Sequence, residues 1–411
     1  MGVNSETHHW LHQLIVTLIC GLLTSCEDYK SELSHESLKL APDQVNILNL
    51  SYNPFTISSD TEEQANIFSG ILLDEGNSYA LPGQISHDTL VELFLAIKKG
   101  YSLENGVVSP LIKRQYHNFQ HAMDVFITTH LLLQGGGGIF LSDNEKTALL
   151  IAALGHDALH TGVFNSFLIR SSHKYAFEDG NDSIQEKRSF KFLLRTLDSL
   201  QILSSGETTS ESDHKTLENC RKLIAESILW TDMARHKEQM KAVQEIAPFV
   251  LKKLQKARNN SKDAGISLGA SSEDIKNNLD LSSQLPIEIR HLLAGFILHS
   301  ADVSNLGKPW EISEKWAFLV CSEFFTQGDL EQKLNMKVSM NCDRANTSIP
   351  QSQLNFGKYV IEDIYSLLAK IIYDGGSEIL KNFNSNQKKW AELLSMEKTK
   401  GVPYQFVESQ M

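Results

Sequence analysis

Ser142-Asp143-Asn144-Glu145 is followed by Ala148-Leu149-Leu150-Ile151-Ala152-Ala153-Leu154 and, after one glycine, by His156-Asp157-Ala158-Leu159-His160. The first four residues have the form of a capping box, in which a serine and the glutamate three positions on satisfy backbone N–H groups at a helix start. The run behind them is apolar nearly all round, so its helix belongs in the core and not on a surface. His156 and Asp157 come at the far end of that rod. A rigid buried element therefore delivers an imidazole and a carboxylate to one place, and the pattern predicts an all-α fold around it.

Two more clusters share this chemistry: Tyr116-His117-Asn118-Phe119-Gln120-His121 and His299-Ser300-Ala301-Asp302. An α-helix returns to the same face about every 3.6 residues. On that basis His117 stands above His121, and His156 above His160. Pro286 suits a first helical turn, and the apolar run Leu292 to Leu298 behind it carries His299 and Asp302 at its end. Each cluster alone is a weak signal, because paired histidines on a helix are more often surface or core residues than ligands. The conjunction is strong, since buried His and Asp in such numbers are costly unless paired or metal-bound. His121, His156, Asp157 and Asp302 offer two imidazoles and two carboxylates, a set suited to zinc or another divalent transition metal. The second oxygen of Asp157 suits a harder cation such as Mg2+ or Mn2+. Two cations about 4 Å apart hold a bridging hydroxide and clamp phosphoryl oxygens during in-line attack. His117 and His160 are left without a necessary ligand role, and a histidine is the natural proton donor to a departing alkoxide near neutral pH.

The bulk composition narrows the alternatives. With 411 residues, 41% of them hydrophobic, the chain can bury one large core or two ordinary ones. A formal charge of −12 argues against a nucleic-acid surface, which needs clustered Lys and Arg. Cys20, Cys26, Cys220, Cys321 and Cys342 are scattered, odd in number and form no CxxC. They read as thiols of a reducing compartment, which makes a cytoplasmic location the expectation.

Near the N-terminus, Leu14 to Leu23 is apolar but too short to span about 30 Å of hydrocarbon as a helix. No Lys or Arg precedes it, as a secretory signal requires, and Glu6 stands where a myristoylation motif needs Ser or Thr. The segment reads as a short helix ahead of the domain, with membrane association as the alternative. Leu90 to Lys99 and Glu218 to Leu229 repeat apolar residues at helical spacing. Gly135 to Gly138 reads as a flexible turn and lacks the Lys-Ser/Thr of a phosphate loop. Ser204 to Asp213 and Asn259 to Ser283 are polar and read as solvated loops. Residues 1–44 are thus assigned to an extension, 45–400 to one catalytic domain and 401–411 to a tail.

At its His/Asp clusters the chain resembles the class I cyclic nucleotide phosphodiesterases, within the wider HD-type metal hydrolases. The resemblance runs from about Leu50 to about Trp390. Its specific parts are Tyr116 to Val125, His156 to Gly162 with Asn165, Ile228 to Met233, His299 to Asn305, Glu323-Phe324-Phe325-Thr326-Gln327-Gly328-Asp329 and Gln351-Ser352-Gln353-Leu354-Asn355-Phe356. The resemblance implies a compact multi-helix bundle with a binuclear metal site at the bottom of a deep pocket. It implies hydrolysis of cAMP, cGMP or both to the 5′-monophosphate by attack of a metal-bridged hydroxide. His121, His156, Asp157 and Asp302 would hold the first metal, usually zinc, with Asp157 bridging to a second, usually magnesium. His117 would protonate the O3′ leaving group, and His160 would contact the hydroxide and orient the site. Gln353 would bond the purine edge, Phe356 would stack on its face, and Val320 would close the opposite side. Tyr116, Asn305 and Met233 would line the pocket. One glutamine can be oriented for adenine or guanine by its neighbours, so both bases fit this pattern.

The chain departs from the family pattern in places. Leu159 and Thr161 stand where Asp and Pro are usual, and Lys187-Arg188 follows Glu186 where two histidines are usual. These positions belong to groups that orient metal ligands. They leave a catalytically weak nucleotide sensor as one alternative to the active enzyme, and another HD-type nucleotide phosphohydrolase is the enzyme alternative.

Overall fold

The computed structural model describes residues 49–77, 79–81, 85–102, 108–204, 210–263, 280–402 and 404. The assigned extension 1–44, and with it the reading of the apolar Leu14 to Leu23, lies outside the described residues. Among the described residues the regular structure is helical, with no strand, as the apolar periodicity predicts. The chain runs through α1 (Thr61–Leu73), α2 (His87–Gly100), α3 (Phe119–Gln134), α4 (Asp143–Gly155) and the short α5 (Asn165–Arg170) and α6 (Lys174–Asp179). It continues through α7 (Ile184–Ser199), α8 (Glu211–Leu229), α9 (His236–Asp263), α10 (Ile287–Asp302) and α11 (Trp310–Lys333). The last elements are α12 (Ile349–Phe356), α13 (Glu362–Ile371) and α14 (Tyr373–Lys400). No described helix is long and apolar enough to cross a membrane.

Helix α4 is the axis of the bundle. Ala148 to Leu154 are all fully buried, and α4 packs on α3, α7, α8 and α10. Its start is the expected capping box: the Glu145 backbone N–H donates to Ser142 Oγ, and the Ser142 N–H donates to the Glu145 carboxylate at 2.9 Å. The same carboxylate is fully buried and receives the Arg290 guanidinium of α10 at 2.9 and 3.1 Å. Asn219 of α8 adds a further donor at 2.9 Å. One charged residue thus registers three helices at the end opposite the histidines, and Arg290 holds its carboxyl below the usual range against the opposing effect of burial.

Close helix contact also depends on Gly295. A Cβ there would lie 2.3 Å from the Trp230 ring, so α10 approaches the end of α8 only because the side chain is absent. The expected glycine turn is present at Gly135 to Gly138, where Gly136 takes φ +115° before a tight 3-10 turn.

Three boundaries differ from the sequence reading. Ser210 caps α8, so the helix begins at Glu211, inside the segment assigned to a loop. Helix α9 continues to Asp263, past the expected loop start at Asn259, and residues 264–279 lie outside the described set. Pro286 caps α10 from just outside its first turn.

Candidate active site

The His/Asp clusters meet where α3, α4 and α10 converge. Asn118 caps α3, its side-chain oxygen accepting from the N–H groups of Gln120 at 2.9 Å and His121 at 3.2 Å. His121 is therefore in the first helical turn, while His117 lies before the cap. His156 caps the end of α4, and Leu159 at φ +66° turns the chain away before His160. The stacking of histidines on shared helix faces is thus corrected: side-chain capping and a left-handed turn end the helices between the paired residues. His117 and His160 instead face each other, with ring centroids 3.9 Å apart and planes at 26°.

His121 Nε2 lies 3.0 Å from Asp302 Oδ1, and His156 Nε2 lies 3.2 Å from Asp157 Oδ2 and 3.4 Å from Asp302 Oδ1. Both rings are almost fully buried. The His156 Nδ1–H donates to the Ala153 carbonyl at 2.8 Å, which leaves a lone pair on Nε2. Two of the facing atoms, His156 Nε2 and Asp157 Oδ2, are buried without a hydrogen-bond partner. Buried polar atoms are rarely orphaned. Two lone-pair donors aimed at one point, beside His121 and Asp302, fit a divalent cation. Burial pushes the His156 imidazole down, but Asp157 and Asp302 outweigh it and hold the ring well above its ordinary value. The carboxylates thus demand positive charge here. Tyr101 fixes the turn, accepting from the Asp157 N–H at 3.1 Å and donating to the Leu154 carbonyl at 2.8 Å.

A second cluster joins His117, His160 and Glu323. The Glu323 carboxylate, on α11, accepts from the backbone N–H groups of Tyr116 at 2.8 Å and His117 at 3.1 Å, and pairs with His117 Nδ1. Burial lowers the proton affinity of His117, yet Glu323 more than offsets it, raising the pKa to about 9. His160 has no such anion, and burial together with the charge of His117 pushes it down to about 3. One member of the stack is therefore cationic at neutral pH and the other neutral. Glu323 was not singled out as a site residue from the sequence; a Glu ahead of two Phe residues on an apolar helix was the available signal.

A cavity of about 390 Å³ opens over these groups. Tyr116, His117, Asp157, His160 and Asp302 form one end. Met233, Asn305, Val320, Gln353 and Phe356 line the rest, so all the residues assigned to substrate contact border one space. His121 and His156 lie beneath it. His299 faces the other way, with Nε2 3.2 Å from His236 Nδ1. The departures from the family pattern also have places. Lys187 bonds Asp182 at 2.7 Å, and Arg188 covers the Tyr175 ring at 3.3 Å, so both turn toward α6 and its flanking loop while Glu186 borders the cavity. Burial and nearby Asp232 raise the Glu186 carboxyl to about 7.

An all-helical bundle with a buried His/Asp cluster under a nucleotide-sized cavity is the architecture of a helical metal hydrolase. The family model for 3′5′-cyclic nucleotide phosphodiesterases matches residues 116–383, and the chain belongs to that family. It is 27% identical over 307 residues to a probable 3′,5′-cyclic-AMP phosphodiesterase of Caenorhabditis elegans, covering 74% of this chain and 40% of that one. It is 31% identical over 263 residues to a dual specificity calcium/calmodulin-dependent 3′,5′-cyclic nucleotide phosphodiesterase of Drosophila melanogaster, covering 63% of this chain and 27% of that one. The chain thus spans less than half the length of these curated relatives. Among solved structures, the phosphodiesterase domain of the RhoPDE fusion protein from the choanoflagellate Salpingoeca rosetta superposes with a TM-score of 0.66 at 21% identity, covering 86% of this chain and 97% of that one. LmjPDEB1 in complex with IBMX gives 0.65 at 24% identity, covering 85% of this chain and 93% of that one. Both likenesses confirm the helical fold.

Proposed function

We propose that this protein is a metal-dependent phosphodiesterase that hydrolyses cAMP, cGMP or both to the 5′-monophosphate. The observation that carries the reading is the placement of a cationic His117 and an under-satisfied His/Asp cluster at one end of a single cavity. His121, His156, Asp157 and Asp302 would hold the first divalent cation, zinc, and Asp157 would share a second, magnesium or manganese. When bound, the cations supply Lewis acidity toward the phosphoryl oxygens and a water acidified enough to attack.

The chain's own groups do the rest. Glu323 keeps a proton on His117, whose Nδ1 faces that carboxylate, leaving Nε2–H to protonate the departing O3′. His160 stacks on His117 and orients it. Val320 and Phe356 border the cavity where a purine would lie, with the Gln353 amide available to its edge. Tyr116, Met233 and Asn305 also border the cavity. A cyclic nucleotide is the expected partner.

The test is His117→Asn. The variant should keep its metal content and nucleotide affinity while kcat falls by about 100-fold or more, the scale of a lost general acid. Loss of metal together with activity would remove His117 from the acid role and make it a ligand.

A further inference from the structure

His117 precedes the cap of α3 and His160 follows the left-handed turn at Leu159, so the two stacked rings hang from loops and not from helices. Arg114, three residues before His117, is buried. Its Nη1 donates to the carbonyl of His160 itself at 2.9 Å. Its Nη2 donates to the carbonyl of Ser102 and, at 3.4 Å, to that of Tyr101. Tyr101 is the C-cap of α2, where a helix presents the negative end of its dipole and favours a cation. One planar guanidinium, with donors on both arms of its fork, thus spans the end of α2 and the His160 loop. The arginine stem is packed as well as its head. Gly162 takes φ +74°, and a Cβ there would lie 2.8 Å from Arg114 Cγ, so the chain leaving His160 turns directly over the arginine. The end of α2 holds the same loop by a further bond, from the Leu159 N–H to the Gly100 carbonyl at 3.0 Å.

We propose that Arg114 is a positioning residue that braces the His117 loop against the His160 loop and the end of α2, and so sets how the two stacked rings lie. Glu323 fixes the His117 loop from α11, through the Tyr116 and His117 N–H groups. Arg114 fixes it three residues earlier, onto the backbone that carries His160. The link runs through backbone carbonyls, so it requires no particular protonation of either ring. The ring centroids stand 3.9 Å apart, and slack in either loop would separate them. A displacement of about 1 Å in a reacting group can cost about 100-fold in rate. Lysine at this position would bring the charge on one nitrogen, without the two arms that reach carbonyls of separate segments.

The effect of Arg114 on turnover rests on the phosphodiesterase reading proposed above, whereas the stack can be observed without turnover. Arg114→Met keeps a stem against Gly162 and removes the donors; Arg114→Lys is the milder change. The full chain is labelled with 13C in its histidine rings, and the His117 and His160 ring signals are assigned from His117→Asn and His160→Asn samples. In Arg114→Met both sets of ring-proton signals should shift as their mutual shielding is lost. On the same samples kcat for cAMP or cGMP should fall by about tenfold or more, with KM within about twofold and bound metal unchanged. Arg114→Lys should show both effects in the same direction and to a smaller degree, and it decides alone if Arg114→Met does not fold. Unmoved ring signals in a folded variant would overturn the proposal, as would an unchanged kcat or a loss of metal in step with activity. A wild type without turnover, whose ring signals still shift in Arg114→Met, would fault the phosphodiesterase reading and leave the brace standing.

Discussion

Replacing Glu323 by glutamine should transfer His117 from the protonated to the unprotonated form at neutral pH. The wild-type ring sits at about 9 against an ordinary 6.5, held there by Glu323 against the opposing effect of burial. That difference corresponds to about 3 kcal/mol of preference for the proton. Once the anion is gone, burial acts unopposed by it, and His117 should fall to its ordinary value or below. At pH 7.5 most wild-type molecules should therefore carry the proton, and only a minority of the variant. Since the acid must be protonated to act, kcat at pH 7.5 should drop by about tenfold or more. The sign is fixed: the form lost on raising pH is the active one, so the alkaline limb of the rate profile should move toward acid by about two units or more. The glutamine oxygen can still accept from the Tyr116 and His117 backbone, so the loop should keep its place. The assay is kcat and kcat/KM for cAMP and cGMP between pH 5.5 and 9.5, with bound metal measured on the same samples. An unmoved alkaline limb with metal intact would refute the reasoning.

Asp157→Ala should remove metal and activity together, because it deletes an orphaned carboxylate oxygen of the cluster; elemental analysis beside turnover reads both. Arg290→Met leaves the fully buried Glu145 carboxylate without its cation and should cost about 3–5 kcal/mol of stability, measured by urea unfolding. Gly295→Ala forces a Cβ to within 2.3 Å of the Trp230 ring, and thermal unfolding should show a loss of about 1–3 kcal/mol.

The fold was legible where one physical signal dominated. Ala148 to Leu154 admits no surface for water, so a buried helix was the consistent reading, and its capping box marked the start. That His121, His156, Asp157 and Asp302 would come together was also legible, because such residues are costly at apolar helix ends without a partner. The helix-face argument for the histidine pairs failed on local chemistry. Asn118 withdraws its side chain to cap α3, and Leu159 adopts a left-handed conformation that nothing in a leucine announces. Glu323 was not chosen because its role depends on a partner far away in sequence. A buried Glu on α11 is unremarkable until it is found against His117.

The central claim is tested most directly by incubating the full chain with cAMP and, separately, cGMP, with and without EDTA and with zinc and magnesium restored. The account predicts metal-dependent release of the 5′-monophosphate from at least one of the two, abolished by EDTA and recovered on adding metal back. A folded, metal-loaded protein that binds nucleotide without turning it over would contradict the account and support a sensor, and a folded protein that takes up no divalent metal would contradict the assignment of the His/Asp cluster itself.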